Sequence, residues 1–150
     1  MSSYKNILVA VDGSDESVVI LGKALDLIGN DNVKLNVVLV FEPLLGNYSF
    51  ELNMADFEQL QQQHQEQVAK KMRELAAAKF PSLSADAIHF LRGKPATEIK
   101  RMAEDTGADL VVIGSHGHNP IRVILGSTAN AVLHGIHCDV LTVRVQGASE

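Results

Sequence analysis

The chain reads as an α/β protein, a doubly wound parallel sheet of five strands with helices on both faces. Three observations predict this class. Short β-rich apolar runs alternate with segments of helical period along the chain. The runs are continuously apolar, as expected of strands covered on both faces. The run 108–113 also feeds a glycine loop, which feeds a helix start. That arrangement aims backbone N–H groups at a phosphate chain.

Ile7–Val11 is the first strand. Asp12, Gly13 and Ser14 are turn residues, with Ser14 or Asp15 as the N-cap of a first helix. Val18, Val19, Leu21, Leu25, Leu27 and Ile28 carry that helix to an end near Gly29 and Asn30. Val33–Phe41, rich in valine and leucine, is the second strand. Glu42–Asn53, with Pro43, Gly46 and Asn47, reads as an irregular loop of the length at which loops serve as lids or binding elements.

Met54 to about Lys79 is the longest helix. Met54, Phe57, Leu60, His64, Val68, Met72 and Leu75 recur along it at helical steps, and define its buried face. The glutamine-rich patch Gln59–Gln67 is its solvated face. Ala87–Leu91 is a third strand, closed by Arg92, Gly93, Lys94 and Pro95. Ala96–Thr106 is a short helix with Pro95 at or just before its first turn. Leu110–Ile113 is the fourth strand, Gly126–Gly135 the fourth helix and Val140–Val145 the last strand. The tail from 146 to 150 reads as frayed.

A length of 150 residues favours one domain, 1–150, without repeat or linker. The apolar fraction of 46% and charged fraction of 21% are those of an ordinary globular chain. A net charge of −5 disfavours binding along a DNA or RNA backbone. Main-chain donors can still hold a nucleotide, because they need no basic surface. Cys138 is the single cysteine, so no intrachain disulfide forms, and it reads as a small packed residue. Ile7–Val11 is too short for a signal-peptide core, and no run approaches the roughly 20 apolar residues of a membrane span. Cytoplasm is the expected compartment.

In open parallel sheets the ligand crevice lies beyond the carboxyl ends of the strands, where the winding reverses. Asp12–Gly13, Glu42–Pro43 and Gly114–Ser115 are expected there. Gly114 would let the chain turn sharply off its strand, and Gly117 would admit an anion close to the backbone. Gly126 sits where the next helix begins. Ser127 and Thr128 add hydroxyls beside its free N–H groups. On pattern alone, phosphate binding and plain loop-and-capping chemistry stand level. Neither standard nucleotide loop is present: Gly93–Lys94 runs into Pro95, and Asp12–Asp15 stands where a G-x-G-x-x-G would follow the first strand.

Four blocks in order, Ile7–Ser14, Asp109–Gly117, Leu125–His134 and Cys138–Arg144, resemble the universal stress protein family. The resemblance spans nearly the whole chain. It implies an adenine nucleotide alpha hydrolase-like, Rossmann-like sheet of strand order 3-2-1-4-5. It implies ATP as ligand, with Ala10, Val11 and Asp12 bordering the adenine and Asp12 also near the ribose or a metal. Val40 would pack on the adenine face. Gly114, Ser115, His116 and Gly117 would line ribose and phosphates, and Gly126, Ser127 and Thr128 would hold the phosphate tail. A Mg²⁺ or Mn²⁺ ion would be held mainly by the phosphates. The strand Val140–Val145 would pair with its twin in a homodimer, which also answers the hazard of an exposed edge; higher oligomers stay open. The common family pattern has one residue more than the eight found here between Gly117 and Gly126, so this chain resembles small bacterial members with the shorter loop.

Other readings stand beside these. His116, His118, His134 and His137 read as loop and helix-surface residues, since nothing in the spacing makes them converge as zinc ligands. His116 has the nucleotide as its second reading, Arg122 faces phosphate or solvent, and Asp12 is a nucleotide ligand or a cap of the first helix. No catalytic residue is singled out: Asp12 is the one obvious carboxylate at the expected pocket, and the loop carries no lysine and Arg122 as its one arginine. The expected function is a nucleotide-dependent regulator acting on an unidentified protein partner, with Glu42–Asn53 as its partner-facing element. The alternatives are a slow ATPase or phosphotransferase, and a nucleotide-free structural dimer.

Overall fold

The computed structural model describes residues 4–29, 32–42, 54–115 and 127–145. Five strands, β1 (Asn6–Val11), β2 (Lys34–Phe41), β3 (Ile88–Arg92), β4 (Leu110–Gly114) and β5 (Asp139–Val143), alternate with four helices. These are α1 (Glu16–Ile28), α2 (Met54–Lys79), α3 (Pro95–Thr106) and α4 (Ser127–Leu133). The strands form one sheet in the order β3-β2-β1-β4-β5, and every neighbouring pair is parallel. This is the expected doubly wound arrangement, with the reversal between β1 and β4.

The continuous apolar runs have the expected cause. In β1, Ile7, Leu8, Val9, Ala10 and Val11 are all buried, because helices cover both faces. Ile7, Val9 and Val11 point to a layer formed by Ile20, Leu21 and Ala24 of α1 with Met72 and Ala76 of α2. Leu8 and Ala10 point to Ile99 and Ala103 of α3 and Ala129 and Val132 of α4. The alternation of side chains along a strand divides the core in this way.

Local signals set most of the element ends. Gly29 closes α1 at φ +56°, its N–H bonded to the Leu25 carbonyl. Pro95 opens α3, and Gly107 ends it in the left-handed region at φ +70°. β3 starts one residue later than expected, because Ala87 belongs to a 3₁₀ turn, Ala85–Ala87, capped by the Ser84 hydroxyl. β5 is shifted the other way and runs from Asp139 to Val143. Of the expected fourth helix, α4 spans Ser127–Leu133; Gly135, at φ +81°, lies beyond its end, and Gly126 lies outside the described residues.

The buried face of α2 needs correction. Ala69, Met72 and Ala76 are buried and Val68 is half-buried, but Leu60 is 55% exposed and His64 is exposed. The helical period holds, but the helix outruns its support. At about 1.5 Å per residue its 26 residues extend about 39 Å. The eight residues of β2 extend only about 26 Å. The amino-terminal turns of α2 therefore project past the sheet, and the glutamine-rich stretch lies largely in solvent there.

Candidate nucleotide site at the carboxyl edge

The carboxyl edge of β2, β1 and β4 gathers six of the expected site residues. Ala10 sits opposite Ile113 and Val11 opposite Leu39, so Asp12 emerges one step past the level of Gly114, and Val40 lies one step beyond Leu39. Ala10 and Val40 lie on the α3/α4 side of the sheet. The Val11 side chain is in the core under α1 and α2, 8% exposed, so what it offers at the edge is backbone. α4 runs from β4 back to the parallel strand β5, which places its start, Ser127 and Thr128, at this same edge. His116, Gly117 and Gly126 lie outside the described residues, as do Arg122, nearly all of the loop 42–53 and the tail 146–150.

Asp12 is an anchored carboxylate. Its Oδ1 accepts the Ser14 N–H at 2.9 Å, the Ser14 hydroxyl at 2.5 Å and, at the long end, the Ser17 hydroxyl at 3.5 Å. The aspartate thus closes a local turn on its own chain, as short polar side chains do before a helix. Ser14 is spent on this turn and does not cap α1. Asp15 occupies the N-cap position without a side-chain capping bond, and its carboxylate meets Lys71 of α2 at 3.4 Å. Gly13, at φ +84°, is buried, and an added Cβ would stand 2.7 Å from Val68 Cγ1 and 3.2 Å from Leu39 Cδ1. Its N–H donates to Ser17 Oγ at 3.1 Å. Ser17 is not among the residues the sequence motifs single out; its one signal in the sequence is a serine three residues after Ser14.

The role expected of Gly114 is also corrected. It is the last residue of β4, paired with Val143, and its φ is not in the left-handed region, so it makes no sharp turn. It is glycine for a packing reason: an added Cβ would approach Ile20 Cδ1 at 3.0 Å. Ser115 continues the ladder, its N–H donating to the Val143 carbonyl at 2.8 Å and its hydroxyl accepting the Val145 N–H at 3.4 Å.

The opposite edge of the sheet carries an open cleft of about 450 Å³ lined by Tyr4, Asp109, Cys138 and Asp139 among others. Its polar groups serve to clasp the fold. Asp109 accepts the Lys5 and Asn6 N–H groups, and the Tyr4 hydroxyl donates to Asp139 Oδ2 at 2.7 Å. That bond to the carboxylate, aided by desolvation, raises the Tyr4 phenol above its ordinary 10.0. Burial pushes the Cys138 thiol up, as suits a packed residue. His137 pairs with Glu104 at 3.4 Å, both exposed, and no group of three or more potential metal ligands converges among the described residues.

A parallel sheet of order 3-2-1-4-5, with an anchored aspartate where its winding reverses, defines the chain as a doubly wound α/β protein with its crevice at the carboxyl edge. Residues 3–144 match the universal stress protein family, and the chain belongs to that family. Universal stress protein A homolog 2 of Coxiella burnetii is 36% identical over 151 aligned residues, covering 99% of this chain and 100% of the relative. The solved structure of the universal stress protein UspA from Lactobacillus plantarum superposes with a TM-score of 0.77 at 25% identity, over 96% of this chain and 100% of that one. A universal stress protein solved in complex with cAMP has the same fold, with a TM-score of 0.65 at 24% identity over 95% of this chain and 98% of that one.

Proposed function

We propose that this universal stress protein binds ATP at the carboxyl edge and acts as a homodimeric regulator whose nucleotide state is read by a partner protein in the cytoplasm. The observation that carries the reading is Asp12, an ionisable side chain held in one orientation at the reversal of the winding. A hydrogen-bonded turn holds one carboxylate oxygen and leaves the other as an acceptor for a ribose hydroxyl. Ala10 and Val40 supply apolar surface on the α3/α4 side for an adenine ring. Ser127 and Thr128 open α4 with N–H groups and hydroxyls suited to phosphate oxygens. Gly114, Ser115, His116, Gly117 and Gly126 complete the proposed set. The cAMP complex of a family member supports the fold's capacity for an adenine nucleotide. Phosphate charge would hold most of a Mg²⁺ or Mn²⁺ ion, with Asp12 the near carboxylate.

The segment 114–128 contains no lysine to neutralise phosphate charge, which favours holding the nucleotide over cleaving it. Hydrolysis is expected below about 1 s⁻¹, the low end of ordinary enzyme turnover. Faster turnover in a single-turnover assay with Mg²⁺ would overturn the regulatory reading. Calorimetric titration with ATP tests the site. Asp12→Ala removes a charged acceptor and should raise Kd roughly tenfold to a hundredfold, at about 1.5–3 kcal/mol for such a bond. Unchanged affinity in that variant would place the nucleotide elsewhere.

A further inference from the structure

We propose that Ser17 is a positioning residue for Asp12, and so for the nucleotide, acting through the buried amide of Gly13. This inference rests on the nucleotide reading above. Ser17 lies in the first turn of α1 and is 0% exposed; among the described residues it is the most completely buried polar side chain. A buried hydroxyl is unfavourable unless it is bonded, and nothing in the packing of α1 on the sheet calls for one. Its bonds are the reason for its presence. It accepts the Gly13 N–H at 3.1 Å and turns its own proton towards Asp12 Oδ1 at 3.5 Å.

The Gly13 amide has no alternative acceptor in water. Gly13 is buried between Val68 of α2 and Leu39 of β2, at a φ of +84°. With its N–H unpaired, the peptide between Asp12 and Gly13 would lose the contact that fixes its plane. That peptide sets the direction in which Asp12 leaves β1. Ser14 bonds the carboxylate directly, but it sits two residues away on the same loop and moves with it. Ser17 belongs to α1, which packs on the sheet through Ile20, Leu21 and Ala24. It is therefore the tie between the rigid core and the loop that presents Asp12.

A double-mutant cycle tests this on the full-length protein, with calorimetric titration of ATP against wild type, Ser17→Ala, Asp12→Ala and the double variant. Thermal unfolding of each nucleotide-free protein is measured alongside. Ser17→Ala is expected to weaken ATP binding about tenfold in the wild-type background and by less than about twofold when Asp12 is already alanine. An equal loss in both backgrounds, or no loss, would overturn the inference while leaving the nucleotide reading in place. A wild-type protein that binds no ATP would overturn that reading, and this inference with it. Should Ser17→Ala fail to fold, amide hydrogen exchange in the nucleotide-free wild type decides: a protected Gly13 amide supports the tie, and rapid exchange rules it out.

Discussion

At the scale of single residues, the two glycines at the carboxyl edge serve different purposes, and their alanine variants should separate. Gly13 combines a left-handed backbone with a 2.7 Å approach to Val68, so both strain and overpacking oppose a side chain. Gly13→Ala should destabilise the protein by about 2–4 kcal/mol. Gly114 is not in the left-handed region; the one tight approach to an added Cβ is the far end of Ile20 at 3.0 Å, which can shift by rotamer, while Val145 Cγ2 at 3.6 Å is an ordinary contact. Gly114→Ala should cost about 1 kcal/mol. Urea denaturation of the two variants checks the order, and equal effects would contradict the assignment of Gly114 as a packing glycine. Both glycines were legible in the sequence as special positions. Their reasons were not, because each depends on a side chain, Val68 or Ile20, supplied by a helix.

At the scale of elements, α2 shows how a correct period gives a partly wrong burial. Leu60 and Met72 share the apolar stripe in the sequence, yet one is 55% exposed and the other 0%. Met72→Ala should destabilise by about 2–5 kcal/mol, as for other core truncations. Leu60→Gln should change stability by less than about 0.5 kcal/mol. Chemical denaturation of both variants tests whether the helix projects past the sheet in solution. The strands, by contrast, were legible nearly to the residue. Their continuous apolar character reflects coverage on two faces, and that is recorded in composition alone.

At the scale of the whole molecule, the two edges of the sheet have different tasks. The amino edge is clasped by Asp109 and by the Tyr4–Asp139 bond, which reaches from the start of β1 past β4 to β5. The Tyr4 phenol is raised in the folded state, so its stabilising contribution is present below its ordinary value near 10.0 and is lost as pH rises through the raised value. Tyr4→Phe should remove that part of the alkaline loss of stability, which thermal unfolding between neutral and alkaline pH would reveal.

β5 closes one side of the sheet and, among the described residues, pairs only with β4. Leu141 on it is 37% exposed. If this strand is the proposed dimer contact, Leu141→Lys should shift the protein towards monomer by at least about tenfold in dissociation constant, about 1.4 kcal/mol. Sedimentation equilibrium would show it, and an unmoved dimer would exclude β5 as the interface. No helix among the described residues is long and apolar enough to cross a membrane.

The sequence by itself determined the succession of strands and helices, the doubly wound class and the family, because apolar period, turn residues and ordered motif blocks are local properties of a chain. It also marked Asp12 as the carboxylate at the reversal of the winding. Only the tertiary structure decided that Asp12 closes a turn with Ser14, that Ser17 ties Gly13 to α1, that Gly114 makes room for Ile20, and that Leu60 and His64 of the helical stripe stand in solvent. Each of these depends on which atoms from separate elements meet, and on how far one element extends beyond another. Neither quantity is written in the spacing of residues along a single segment.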